Sequence, residues 1–224
     1  MEIKPIAFMK SDFKTKFGIP RQAGLTPELI SRIEFESEYR NPDAIRGLEN
    51  FSHIWIIWEF SENSKENWAA TVRPPRFGGN ERIGVFATRS PYRPNNLGLS
   101  CVEIESIDLE AAGGPFINVK GADLMDGTPI FDIKPYIPYS DCLPNATKAF
   151  ASRPDPKLEV IFPDKIDFPT DKLETLKKIL SLDPRPAYQN DPDRIYGFVF
   201  ADYEIKFKVD NNKVIVKEIA KNAY

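Results

Sequence analysis

The chain has a single histidine, His53, and only two cysteines, Cys101 and Cys142, among its 224 residues. One imidazole excludes histidine-rich metal sites, HExxH zinc sites and any constellation that needs a second histidine. His53 sits between Ser52 and Ile54 in a strand-like run, and reads there as a satisfied strand residue rather than a catalyst. The cysteines lack metal-ligand spacing, and the start of the sequence lacks the charged-then-apolar layout of a secretory signal. Together these predict a cytoplasmic protein without a metal. Long apolar runs are missing as well: the stretch from Ile54 to Trp58 is far too short to span a bilayer. There is no Walker-type loop and no GxGxxG, so a nucleotide-binding βαβ unit is not expected. Internal repeats and low-complexity segments are also lacking.

Of the 224 residues, 42% are hydrophobic and 28% charged, ordinary for a soluble globular protein. A net charge of −3 argues against a protein that coats nucleic acid, so any such contact must come from a local patch. Twenty prolines against twelve glycines disfavour long helices and favour short strands joined by stiff loops. Strand-like runs fall at 3–8, 33–36, 51–60, 83–88, 99–107, 116–121 and 130–136. The run at 51–60 is almost continuously apolar, as for a strand buried on both sides. Short helices are predicted at 26–30, with proline at the first helical position, and at 41–46, ended by Gly47. Many short strands with turn signals imply a barrel or a sandwich. The character changes near residue 150, where residues 152–156 resemble a linker. One helix follows from a Thr170 cap through Leu182, with Leu173, Leu176 and Leu180 on one stripe. Strands are then expected at 196–209 and 213–219. The division predicted is a β domain over 1–150 and a small α+β domain over 151–224.

Charge is concentrated in one place. Five arginines, Arg73, Arg76, Arg82, Arg89 and Arg93, lie in a segment with no lysine and only Glu81 as a counter-charge. Prolines and glycines shape its loops, and forked guanidinium donors suit phosphate or carboxylate, so the segment points to an anionic ligand. Pairing of some of these arginines across a dimer interface would need no nucleic acid. A second segment, from Asp123 to Tyr139, contains Asp126-Gly127 between apolar runs, a strong hairpin signal. A tight turn explains Gly127, but not the crowding of Asp123, Asp126 and Asp132 with Lys134. Such carboxylates can accept a ligand's protons. A third loop holds Arg21 and Gln22 between Pro20 and Gly24, a weak signal by itself.

Taken together, these blocks resemble the TsaA-like, or TrmO, family of tRNA methyltransferases. The resemblance rests on Ile19-Pro20-Arg21-Gln22, the run from Arg46 to Trp55, Val72-Arg73-Pro74-Pro75-Arg76 and Gly78-Gly79-Asn80. It continues through Gly84 to Ser90, Arg93-Pro94-Asn95 with Gly98, Asp126-Gly127-Thr128-Pro129, Asp132 to Tyr136, and Asp183 to Tyr188. So many blocks in order span nearly the whole chain.

The resemblance implies a mainly β protein: a non-Rossmann β-barrel catalytic domain that binds S-adenosylmethionine, followed by a small α+β domain that helps hold tRNA. It also implies a homodimer that methylates N6 of threonylcarbamoyl-adenosine beside the anticodon of threonine tRNA. The donor contacts implied are Pro20, Arg21, Gln22, Ser61, Glu62, Arg89, Leu99 and the turn Asp126, Gly127, Thr128, Pro129 and Ile130. Ser61-Glu62 departs from the His-Gln that relatives often carry there. Asp126, Asp132 or solvent would accept the proton leaving N6; Arg73, Arg76, Arg82 and Arg93 would meet tRNA, the substrate's carboxylate or the dimer partner, and Arg185 would meet tRNA. Two rivals remain open at this stage: a non-catalytic nucleoside sensor, and a hydrolase of a phosphorylated metabolite.

Overall fold

Alternating apolar residues dictate the first half of the fold. In a computed structural model describing residues 2–62, 68–74, 81–147, 157–185, 189 and 191–222, six antiparallel strands close a barrel in the order β1-β2-β7-β6-β3-β8. These are β1 (Ala7–Lys10), β2 (Ile30–Phe35), β3 (His53–Glu59), β6 (Leu97–Asp108), β7 (Phe116–Lys120) and β8 (Pro129–Pro135). A two-stranded ribbon of β4 (Thr71–Val72) and β5 (Ile83–Gly84) stands apart from the barrel sheet. Every second side chain of a strand points inward, so Ala7, Met9, Ile33, Ile54, Ile56, Trp58, Val102, Ile117, Val119 and Ile130 form one buried cluster.

The long apolar strand differs from its prediction. In β3 burial alternates: Ile54, Ile56 and Trp58 fill the barrel, whereas Trp55 and Ile57 are half-exposed on its outer face. Trp55 is partly covered by a short helix, α1 (Pro138–Asp141), with its Nε1 donating to Asp141 Oδ2 at 2.9 Å. The 26–30 segment is a turn, not a helix, because the chain enters β2 at Ile30. At 83–88 the strand stops at Gly84 and a 3-10 turn over Val85–Ala87 follows. The 3-10 turn at Pro42–Ile45 does form, with the Asn41 side chain accepting from the Asp43 N–H.

The second half is a four-stranded sheet, β10-β11-β12-β9, covered by one helix. Its elements are β9 (Glu159–Ile161), α2 (Thr170–Ser181), β10 (Tyr196–Phe200), β11 (Tyr203–Asp210) and β12 (Lys213–Lys221). Helix α2 buries Leu176, Ile179 and Leu180 on one stripe. Thr170 is its first helical residue rather than its cap; Pro169 holds that place without a side-chain hydrogen bond. The single strand expected at 196–209 is a hairpin. Ala201 and Asp202 both have positive φ, 51° and 64°, the geometry of the two-residue turn that matches strand twist. No asparagine or glycine advertises this turn in the sequence. The expected linker at 152–156 lies outside the described residues.

The two cores touch through the N-terminal segment. Phe13 and Leu29 belong to the second cluster, and Phe13 bridges Phe200 with ring centroids 5.3 Å apart. Phe17 meets Phe198 edge-on at 6.2 Å. Gly18, at φ 98°, lies so close that a Cβ there would stand 2.4 Å from the Phe198 ring.

Gly98 in β6 makes a comparable close approach to the barrel interior, since its Cβ would lie 2.3 Å from the indole of Trp58. Gly98→Ala should therefore cost roughly 1–3 kcal/mol of overpacking, lowering Tm by about 2–4 °C per kcal/mol for a chain of this size. Thermal unfolding measures this; an unchanged Tm would mean that the Trp58 ring is not fixed where the barrel holds it.

Candidate active site

Four segments converge at one end of the barrel around a cavity of about 560 Å³. This lies within the ~300–1,000 Å³ of small-molecule sites. The first wall is the loop that carries Pro20, Arg21 and Gln22. It holds its shape because Phe17 and Gly18 are pressed on Phe198, Pro20 is buried, and Arg21 Nη2 donates to the Arg185 carbonyl at 3.2 Å. The second wall is the end of β3, from Trp58 to Glu62. Phe60 packs on Trp58 with ring centroids 4.3 Å apart and planes tilted by 57°, and its backbone N–H and C=O are both bonded to Asn96. Lys16 Nζ donates to the Glu62 carbonyl, tying the first wall to the second.

The third wall is the latter part of the arginine segment. Thr88 Oγ1 donates to the Val85 carbonyl and accepts from the Ser90 N–H, a self-bonded loop that presents Arg89. The Arg89 guanidinium donates to Gln22 Oε1 across the cavity. Arg93 also lines the cavity, yet its Nη1 donates inward to the carbonyls of Thr88 (2.6 Å) and Val85 (3.2 Å). Part of its donor capacity thus holds the loop that carries Arg89. Leu97, Gly98 and Leu99 at the start of β6 complete this side.

The floor holds Asp123, Met125 and Thr128. A relay runs through it: Trp58 Nε1 donates to Ser100 Oγ at 3.0 Å, and Ser100 Oγ donates to Asp123 Oδ1 at 2.6 Å. Burial pushes the Asp123 carboxyl above its ordinary range, outweighing the Ser100 hydroxyl, nearby N–H groups and the Arg89 charge that pull it down. Asp123 is the one cavity carboxylate beside the Asp126-Gly127 turn, and no local sequence motif sets it apart from Asp126 and Asp132. Its signal was only the crowding of carboxylates beside the Asp-Gly turn.

Of the residues proposed from the sequence for the donor site, Pro20, Arg21, Gln22, Ser61, Glu62, Arg89, Leu99 and Thr128 line this cavity. Asp126, Gly127, Pro129 and Ile130 do not. Asp126 instead ties down the N-terminal segment: Oδ1 accepts from the Ser11 N–H at 3.0 Å and Oδ2 pairs with Lys14 at 2.9 Å. Burial raises its pKa, but Lys14 and the Ser11 N–H outweigh that and leave it below the ordinary value. Gly127, at φ 75°, makes the turn whose N–H bonds the Met9 carbonyl. Asp132 is also outside the cavity, bonded to the Ile133 N–H and paired with Lys134. Arg185 is gripped through two nitrogens by the Asp183 carboxylate, which raises its pKa. Arg73 is exposed, and Arg82 Nη1 donates to Thr71 Oγ1. Arg76 lies outside the described residues, as do residues 186–188. His53, bonded to Ser52 and 6.1 Å from the Tyr136 ring, is a strand residue away from the cavity lining. Among the described residues no group of three or more His, Cys, Asp or Glu side chains is placed to hold a metal ion.

Chemically, the cavity joins apolar walls (Ile19, Trp58, Phe60, Leu97, Leu99, Met125) to a few convergent polar groups, with a desolvated carboxylate on the floor. An acid whose pKa rises on folding opposes folding whenever it is ionised. Asp123 therefore costs stability above the unfolded carboxylate pKa of ~3.9, increasingly up to its folded pKa and constantly beyond. Asp123→Asn should accordingly raise Tm near pH 7, with an advantage over the native chain that shrinks as pH falls toward ~3.9. Thermal unfolding across that range tests it; a variant less stable than the native chain at pH 7 contradicts a desolvated carboxylate.

Comparison with known proteins agrees in both halves. The profile described as the tRNA-methyltransferase O N-terminal domain matches residues 8–142, and that of the TrmO C-terminal domain matches residues 155–222. A tRNA (adenine(37)-N6)-methyltransferase of Escherichia coli (strain K12) is 36% identical over 219 residues, covering 93% of each chain. A putative S-adenosylmethionine-dependent methyltransferase of Pseudomonas aeruginosa is 37% identical over 213 residues, 91% of this chain and 90% of its own. The crystal structure of TrmO from P. aeruginosa superposes with a TM-score of 0.80 at 30% identity, covering 99% of this chain and 97% of that one. With a closed antiparallel barrel, a cavity at its end and both domain profiles in order, the chain belongs to the TrmO family.

Proposed function

We propose that this chain is an S-adenosylmethionine-dependent methyltransferase acting on N6 of the adenosine at position 37 of tRNA. Family membership carries this reading, together with the names of the relatives matched over most of its length. Its finer form is methylation of threonylcarbamoyl-adenosine in threonine tRNA. When bound, the donor supplies an electrophilic methyl group on a sulfonium. The cavity residues suit such a molecule: apolar walls for an adenine and a thioether, Arg89 for a carboxylate, and Asp123, Gln22 and Glu62 for ammonium or hydroxyl protons.

The chain's own residues then have distinct tasks. The Pro20–Gln22 loop and the Arg89 loop grip opposite sides of the cavity through the Gln22–Arg89 bond. Such fixed positioning contributes much of the rate of an in-line transfer, up to roughly 7–11 kcal/mol in favourable cases. The N6 proton must leave, and we assign its acceptor to Asp123 Oδ2, the oxygen not engaged by Ser100, rather than to Asp126 or Asp132. A carboxylate lifted by burial is the better base near neutral pH. The Asp126–Ile130 turn supports the floor from behind through Thr128. Residues 1–150 form the catalytic part in this reading, and residues 151–224 buttress its first loop. A homodimer fits the exposed Tyr139 and Leu143 beside the half-covered Trp55 face. A cytoplasmic setting suits the tRNA substrate and the two free cysteines.

Incubation with S-adenosylmethionine and threonine tRNA carrying the threonylcarbamoyl group, followed by nucleoside mass spectrometry, tests the reading. A new N6-methylated nucleoside at position 37 is expected, and an unmodified base overturns it. Asp123→Asn should lower kcat/KM by roughly two to four orders of magnitude, as for loss of a general base. Where Arg82 meets phosphate, Arg82→Ala lowers the slope of log affinity for tRNA against log salt by about 1. An unaltered slope removes Arg82 from the RNA contact.

A further inference from the structure

Beside the cavity lies a feature that its chemistry does not use. Trp68 and Phe86 are 52% and 72% exposed, yet their rings stack at 6.4 Å with only 19° between planes. Soluble proteins rarely leave two large aromatic rings parallel and open to water, since burial of such rings is worth more than their mutual contact. Nor is the pair carried on a loose tip. The Ala69 N–H donates to the Tyr92 carbonyl, the Val85 N–H donates to the Ala70 carbonyl, and Val85 is fully buried beneath. Tyr92 and Arg93 line the cavity, and the Arg93 guanidinium stands 5.7 Å from the centre of the Phe86 ring. Farther along the same ribbon, past the pairing Val72↔Ile83, come Arg73 and Arg82.

Resting on the methyltransferase reading above, we propose that Trp68 and Phe86 form a stacking shelf for an unpaired nucleobase next to the base that enters the cavity. A flat aromatic face accepts any base, and the flanking arginines complement the phosphates of the same strand. A protein partner would also want the apolar area. It has no need of cations beside the rings unless it is itself acidic, whereas single-stranded RNA supplies a base for the rings together with phosphates for Arg93 and for Arg73 and Arg82 along the ribbon. The shelf is continuous with the cavity through Arg93, so a strand with one base inserted leaves its neighbour at the rim.

The test compares Phe86→Leu, Phe86→Tyr and Trp68→Leu in the full-length enzyme, with threonine tRNA and S-adenosylmethionine. Leucine keeps the apolar bulk and removes the π face; tyrosine keeps the face. Phe86→Leu and Trp68→Leu should each raise the KM for tRNA by about tenfold, with donor affinity and sedimentation unchanged, and Phe86→Tyr should restore native values. Unchanged KM for tRNA in both leucine variants, or a loss of self-association in place of a KM effect, overturns the shelf. Failure of the native chain to methylate tRNA would instead strike the functional reading, and is seen separately in the same assay.

Discussion

The site depends on one patch of packing, in which Phe13, Phe17 and Gly18 lie against Phe198 and Phe200. It joins the barrel core to the core of the C-terminal sheet, and it sets the path of the loop that carries Pro20, Arg21 and Gln22. Magnitudes show why the contact is apolar. Truncating a buried phenylalanine costs ~3–5 kcal/mol, whereas an exposed hydrogen bond such as that from Arg21 to the Arg185 carbonyl is worth ~1 kcal/mol. Phe13 and Phe200 are both fully buried. The C-terminal sheet therefore serves the cavity even though most of it lies elsewhere, by holding one wall in place.

The other walls follow the same logic of self-bonded loops hung on the barrel rim. Phe60 and Asn96 exchange backbone and side-chain hydrogen bonds, and Thr88 and Arg93 satisfy the carbonyls of their own turn. The arginine segment is consequently not one uniform anion surface. Arg89 reaches across the cavity, Arg93 divides its donors between cavity lining and loop, Arg82 steadies the ribbon through Thr71, and Arg73 remains exposed.

Much of this was legible in the sequence, for identifiable reasons. Strands with period-two apolar spacing, and the proline-led 3-10 turn at 42–45, carry local signals that tertiary packing only confirms. The two-sided burial expected for β3 failed because apolar content alone does not distinguish a barrel interior from an outer face half-covered by Tyr136 and Asp141. The Ala201-Asp202 turn is hidden in the sequence because Ala201, its first residue, does not favour positive φ, and Asp202, which does, is not followed by a glycine. Asp126 drew attention as a carboxylate at a turn, and its oxygens are committed to Ser11 and Lys14, partners more than a hundred positions distant that spacing cannot reveal. Asp123 became distinguishable only through its distant partner Ser100 and its enclosure, neither of which is a property of a local motif.

In the proposed reading S-adenosylmethionine occupies the cavity between the buttressed loop and the barrel rim. Backbone hydrogen exchange with and without S-adenosylmethionine tests it directly. Donor bound there slows exchange at residues 19–22, 58–62, 88–93, 97–99 and 123–128 and leaves β10 and β11 unchanged apart from the amides beside Phe198. Protection confined to other segments, or none at saturating donor, would contradict it.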